Sequence, residues 1–257
     1  MSLEDDFSDV VSKALSGLEI GHEELASSSA VDIAGLGRIL EGEFDEDILR
    51  KIAPILRLDG DALAALPNYS PNIEEPVGVH RIELPFREWT VNAWRVEKEG
   101  TCLLFDTGWG PMDILSEVDP EFLDTVFITH AHPDHIGGLD TITDRGVKLI
   151  RETEALREGV IEIGPFKITA VDLSGHFEPS TGYFVEGLDT QLLVVGDALF
   201  AGSIGGCTGS RQFRQAMATI SSALKKASDG CLLLPGHGPI TSIESELKAN
   251  PFRFHFR

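Results

Sequence analysis

Cysteine is scarce in this chain. Its three residues, Cys102, Cys207 and Cys231, are odd in number, far apart and never in a Cys-x-x-Cys pair. That excludes a disulfide framework and a thiolate zinc knuckle. Cys102 and Cys231 each open an apolar run and are expected to be small buried hydrophobes. Basic residues are also thin, with 21 Lys and Arg against 42 Asp and Glu and a formal net charge of −21. So acidic a surface argues against nucleic acid or an anionic membrane as the main partner, because both select basic patches. No apolar run is long enough to cross a bilayer, and the acidic start (Glu4, Asp5, Asp6) lacks the basic-then-apolar order of a signal peptide. A cytoplasmic protein acting on a small molecule is the expectation.

What is present is ample material for a core, with 257 residues of which 42% are hydrophobic. Residues 1–66 show apolar positions at helical spacing (Val10, Val11, Ala14, Leu15, Leu18; Leu25, Ile33, Leu36, Ile39, Leu40; Ile48, Leu49, Ile52, Ile55, Leu56), which predicts a small domain of short helices. Pro67, Pro71 and Pro76 with Asn68 and Asn72 mark a linker over 67–76. From 77 to 257 strands alternate with helices: hairpin turns are expected at Arg87-Glu88 and Glu99-Gly100, helices at 111–118, 135–144, 210–227 and 240–249, and a strand at 125–129. That texture is an α/β fold of stacked sheets with helices outside.

The stretch THAHPDHIGG at 129–138 places His130, His132, Asp134 and His135 directly after an apolar strand. Imidazole nitrogen and carboxylate oxygen are the usual donors for zinc and also suit iron and manganese. An i, i+2 pair on extended chain puts His130 and His132 on one side, while the turn at Pro133 sends Asp134 and His135 elsewhere, so one loop can serve two adjacent ions. Three further donors follow apolar strands with glycine alongside: His176 in Leu-Ser-Gly-His, Asp197 in Val-Gly-Asp, and His237 in Pro-Gly-His-Gly.

Over about residues 77–252 these motifs resemble the metallo-β-lactamase superfamily, whose HxHxDH signature is met by His130, His132, Asp134 and His135. The resemblance implies an αβ/βα sandwich of two mixed β-sheets flanked by helices, holding two divalent metal ions, zinc first with iron or manganese as alternatives. By carry-over His130, His132 and His176 hold one ion, Asp134, His135 and His237 the other, and Asp197 bridges them. Asp106 in Phe-Asp-Thr-Gly matches a further motif whose carboxylate supports the histidine loop. The implied chemistry is hydrolysis by metal-bound hydroxide, with no serine or cysteine nucleophile.

GDALFAGSIGG at 196–206 and LPGHGPITSIESELKANPF at 234–252 are similar to glyoxalase II-like hydrolases of short form, which implies a thioester substrate. The chain ends twenty residues after His237, short of the C-terminal helical part that holds glutathione in full-length enzymes of that group. Gly206-Cys207-Thr208-Gly209 replaces the group's basic-acidic pair. Cys207 on that loop, and Arg211, Arg214 and Lys167 as anion anchors, are the candidate substrate contacts. A lactonase would use the same metals. A mononuclear iron persulfide dioxygenase would leave several donors idle, and a β-lactamase would be exported. EELASSSAVDIAGLGRILEGE and the segment after it are similar in rhythm to a Cro/repressor-type helix-turn-helix, with helices at 22–28 and 31–40. Residues 1–70, however, hold fifteen Asp and Glu against five Lys and Arg, so self-association into a homodimer or covering of the active site is expected of them rather than DNA binding.

Overall fold

A computed structural model describes residues 2–256. The chain opens with helices α1 (Phe7–Leu18), α2 (His22–Ser29), α3 (Ile33–Leu40), α4 (Glu46–Ile52) and α5 (Gly60–Ala65). Most begin on an aspartate whose carboxylate takes the first free backbone N–H groups. Asp6 caps α1 in a reciprocal box with Asp9, and Asp32, Asp45 and Asp59 cap α3, α4 and α5. The helices expected at 22–28 and 31–40 are α2 and α3 within a residue or two.

Strands β1 (Val79–Phe86), β2 (Trp89–Lys98), β3 (Thr101–Phe105), β4 (Thr125–Phe127) and β5 (Lys148–Ile150) form one sheet in that order, with short helices α6 (Pro133–Ile136) and α7 (Leu139–Thr143) between the last two. After α8 (Glu152–Glu158) come β6 (Val160–Ile163), β7 (Phe166–Asp172), β8 (Thr181–Glu186), β9 (Leu192–Gly196), the ribbon β10 (Leu199–Phe200) with β11 (Ser203–Ile204), and α9 (Ser210–Leu224). β12 (Leu232–Pro235), β13 (Thr241–Ser242) and α10 (Ile243–Ala249) follow. The second sheet runs β13-β12-β9-β8-β7-β6.

The period-2 alternation of the strands sorts side chains into layers. Leu103, Phe105 and Phe127 of the first sheet meet Ile168, Tyr183, Leu192 and Val194 of the second in the central core. Cys102, Leu104 and Val126 point outward onto Ile114, Leu139 and Ile142. On the far face of the second sheet Phe184, Leu193, Val195 and Leu233 join α9 and the N-terminal helices in one cluster that runs from Phe7 to Phe256. The result is the expected two-sheet sandwich with helices on both faces.

Three elements differ from expectation. The helix expected over 111–118 is a short 3-10 turn, Asp113–Ser116. The helix expected over 135–144 is split into α6 and α7, because a Cβ on Gly137 would stand 1.8 Å from the Trp109 carbonyl oxygen and one on Gly138 2.7 Å from that of Thr107. Backbone approach this close needs glycine, and it bends the helix around the 107–109 loop. The strand expected over 125–129 ends at Phe127, leaving Thr129 free to turn toward the site.

Candidate metal centre

All seven predicted donors come together at the strand ends. His130 Nε2 and His176 Nε2 lie 3.0 and 3.2 Å from His132 Nδ1, and 3.8 and 3.7 Å from Asp197 Oδ2. In the second group His135 Nε2 is 3.2 Å from Asp197 Oδ1, and His237 Nε2 is 3.4 Å from Asp134 Oδ2 and 3.5 Å from Asp197 Oδ2. A tetrahedron of ~2.1 Å metal bonds has edges of about 3.4 Å, so both groups have the span of a first coordination sphere. Two buried atoms, His135 Nε2 and Asp197 Oδ1, have no hydrogen-bond partner. Buried polar atoms are rarely left so, and an ion between them satisfies both.

The far nitrogen of four histidines meets an oxygen, which fixes the ring and leaves the near nitrogen free as a lone-pair donor. His176 Nδ1 is 2.6 Å from the Gly206 carbonyl, His237 Nδ1 2.8 Å from that of Thr90, and His135 Nδ1 2.9 Å from Asp106 Oδ2. His130 Nδ1 is 3.0 Å from Thr129 Oγ1, which itself donates to Asp106 at 2.8 Å. Asp106 also accepts from the Thr129 N–H at 2.8 Å, and its own backbone sits in the left-handed region at φ +63°. One strained, buried carboxylate therefore orders the HxHxDH loop from behind.

The two groups differ electrically. Burial and the neighbouring imidazoles hold His130 well below the usual histidine range, and His132 is lowered for the same reasons. His135 is pushed up to about 10 and His237 to about 11: burial opposes the charge, and the carboxylates around them, Asp197 first, outweigh it. Asp197 is driven well down, its burial overcome by those same two histidines.

Some supporting residues carry no motif. Asn92 Nδ2 donates to the carbonyls of Pro235 and Gly238 at 3.0 and 2.9 Å, and Trp94 Nε1 donates to Pro235 at 2.9 Å, pinning the His237 loop across the sandwich. An asparagine among apolar residues in TVNAWRV is the only hint of this in the sequence. Tyr183 donates to the Ile128 carbonyl at 2.6 Å. A Cβ on Gly236 would stand 2.2 Å from Asp197 Oδ1, so no other residue fits there. Phe177 stacks edge-on to His132 with centroids 4.5 Å apart, and Phe200 lies 5.9 Å from His237.

The expected substrate contacts fare differently. Cys207 is buried in the cluster under the N-terminal helices, its thiol pushed up to about 11 by burial. Lys167 is the second residue of β7, at the opposite end of the strand from His176, and pairs with Glu186 at 2.9 Å. Arg214 lines a groove with Gly17, Arg57 and His255 on the outer helical layer. Arg211 is exposed, 3.9 Å from Glu178.

A sandwich with seven His and Asp side chains converging at its strand ends forms a candidate metal centre. The family model of the metallo-beta-lactamase superfamily matches residues 86–160, and the chain carries a domain of that superfamily. It is similar to the probable metallo-hydrolase YqgX of Bacillus subtilis (strain 168), at 28% identity over 203 residues that cover 66% of this chain and 95% of that one. Among solved structures, the BLEG-1 B3 metallo-beta-lactamase superposes with a TM-score of 0.57 at 23% identity, covering 68% of this chain and 99% of that one. TTHA1623 in a di-iron-bound form superposes with a TM-score of 0.51 at 21% identity, covering 66% and 99%. The two structures show the fold, and the family match and the relative support a metal-dependent hydrolase of the superfamily.

Proposed function

We propose that the chain is a dinuclear hydrolase of thioesters. His130, His132 and His176 would hold one ion and Asp134, His135 and His237 the other, with Asp197 shared by the two groups. The observation that carries this is the pair of donor groups sharing Asp197, with four imidazoles turned by outer hydrogen bonds to present a free nitrogen. Bound divalent ions supply Lewis acidity and acidify a coordinated water. The chain's own residues do the rest. Asp106 and Thr129 keep the histidine loop in register, and Asp134 offers the second group a carboxylate 3.4 Å from His237 Nε2. Phe177 and Phe200 give the donors apolar neighbours that limit water. Zinc suits the nitrogen-rich donor set, and iron and manganese fit it too.

The thioester assignment is supported by the phrases at 196–206 and 234–252. With Lys167 and Arg214 away from the site, an anionic substrate is anchored from the hairpin instead: Arg87 lies over the rings of Phe86 and Trp109 (5.4 and 5.7 Å), and Phe86 is 6.3 Å from His237. The test is a panel of thioesters, lactones and β-lactams on metal-quantified protein. Thioester turnover that vanishes in Asp134→Ala and His237→Ala is expected. Preference for a lactone or β-lactam, or full activity with one metal per chain, would overturn the assignment.

A further inference from the structure

The donor set is complete within residues 130–237, yet the N-terminal segment reaches it at two places. Lys13 of α1 donates to the Ile204 carbonyl at 2.8 Å, and its ammonium is neutralised by Asp5 in a part-buried pair. Ser16, one turn on, donates to the Cys207 carbonyl at 3.0 Å. Between those two carbonyls lies Gly206, whose own carbonyl is 2.6 Å from His176 Nδ1. Side chains of α1 thus hold the peptide groups on both sides of the one that orients His176. On the other flank Glu4 Oε2 lies 3.8 Å from His237 Nδ1, and a Cβ on Gly238 would meet the Glu4 backbone nitrogen at 3.2 Å. α1 itself is seated firmly: a Cβ on Gly17 would stand 2.3 Å from the Phe213 ring, and Glu19 Oε1 accepts from the Ser210 N–H at 3.1 Å.

We propose that α1 and the turn before it are a working part of the metal centre, in which Lys13 and Ser16 are positioning residues for His176 and Glu4 is one for His237. The inference rests on the two-metal assignment above. Removing the Lys13 ammonium leaves the Ile204 carbonyl and the Asp5 carboxylate without their partner in a half-buried place, and the 204–207 loop relaxes. His176 then loses a fixed acceptor for its far nitrogen. Loss of such an outer partner typically lowers metal affinity by about 10–100-fold. Glu4 acts by charge: a carboxylate near His237 Nδ1 makes the ring a stronger donor through Nε2. Because coupling of this kind is reciprocal, metal binding must also tighten α1 onto the body.

The test measures zinc affinity by competition with a chromophoric chelator in the full-length chain. His237→Ala and His176→Ala serve as reference backgrounds in which only one donor group is intact. Lys13→Met is expected to weaken the His176 group by about 10–100-fold and Ser16→Ala by several-fold, each sparing the His237 group; Glu4→Gln is expected to do the reverse. Ser16→Ala removes a single hydroxyl from an exposed position and keeps the test valid should Lys13→Met fold poorly. Hydrogen exchange of the α1 amides should slow on adding zinc. Wild-type affinities at both groups in all three variants, an equal loss at both groups from each variant, or α1 exchange indifferent to zinc would overturn the proposal. A wild-type chain binding a single zinc would count against the two-metal assignment alone, and the Lys13 and Ser16 arm would still be judged on that ion's affinity.

Discussion

Replacing Asp106 with asparagine changes almost no volume and tests how the histidine loop is ordered. In the native chain Oδ1 accepts from the Thr129 N–H, and Oδ2 accepts from Thr129 Oγ1 and His135 Nδ1, all at 2.8–2.9 Å. An asparagine that keeps its oxygen toward Thr129 N turns an NH2 toward His135. The ring must then accept on Nδ1 and carry its proton on Nε2, the nitrogen 3.2 Å from Asp197. A nitrogen that carries a proton offers no lone pair, so His135 could not ligate the second ion. The flipped asparagine instead sets NH2 against the buried Thr129 N–H, which costs about 1–3 kcal/mol for an unmet donor. The first orientation keeps the Thr129 N–H satisfied and falls on the second group, which should therefore suffer more than the first. A loss of about 10–100-fold in its metal affinity is expected, equivalent to about 1.4–2.7 kcal/mol. Turnover should fall with occupancy and recover in part at saturating metal. Chelator competition and metal analysis after gel filtration measure this. An Asp106→Asn chain holding two ions at wild-type affinity would refute the tautomer argument, whatever its activity.

Four other outcomes follow from the same geometry. His135 and His237 are raised to about 10 and about 11, so in the metal-free chain both carry protons at neutral pH, whereas His130 is held neutral. Affinity of the second group should therefore rise with pH, up to about 100-fold per unit for two displaced protons, while the first group changes little above pH 7; titrations at pH 6.5, 7.5 and 8.5 decide it, and equal slopes would sink it. For the metal-free fold the sign is opposite. The His135 and His237 ion pairs contribute fully below the unfolded histidine value near 6.5 and are lost as pH rises through about 10 and 11, so the melting temperature without metal should decline on the alkaline side. Gly236→Ala should abolish turnover, because its Cβ would be 2.2 Å from Asp197 Oδ1; retained activity would show that the loop yields. Cys207→Ala should leave kcat/KM within about twofold while costing about 1 kcal/mol of stability from the lost buried sulfur, and a large change in KM would return that residue to the substrate site.

The candidate metal donors were legible in the sequence because coordination accepts few residue types, and because a ligand at a strand end is flanked by recognisable apolar runs and glycines. His176, Asp197 and His237 each follow a strand for that reason. Lys167 shows the limit: it lies nine residues before His176, but a strand converts that separation into length, and the residue ends up on the opposite rim of the sheet. The break between α6 and α7 was hidden too, since Gly137 and Gly138 are forced by the carbonyls of Trp109 and Thr107, contacts that local periodicity does not encode. Asn92 and Trp94 meet Pro235 across more than 140 residues of sequence, so beyond a polar residue in an apolar strand nothing near either partner marks them.

The N-terminal helices make the same point in the other direction. Their amphipathic pattern is that of any small helical unit, and the resemblance to a DNA-binding motif came from that rhythm. The apolar faces are instead spent on the second sheet and α9: Val10, Val11, Ala14 and Leu15 lie in one cluster with Leu193, Val195 and Phe213. An amphipathic helix has to bury its stripe against something, and spacing alone does not say what. Docking α1 on that face carries Lys13 and Ser16 to the loop behind His176 and Glu4 to His237. A polar residue on the edge of a buried stripe is placed by the packing of its apolar neighbours. The segment that looked least connected with the His and Asp cluster is therefore fixed against it by the hydrophobic core.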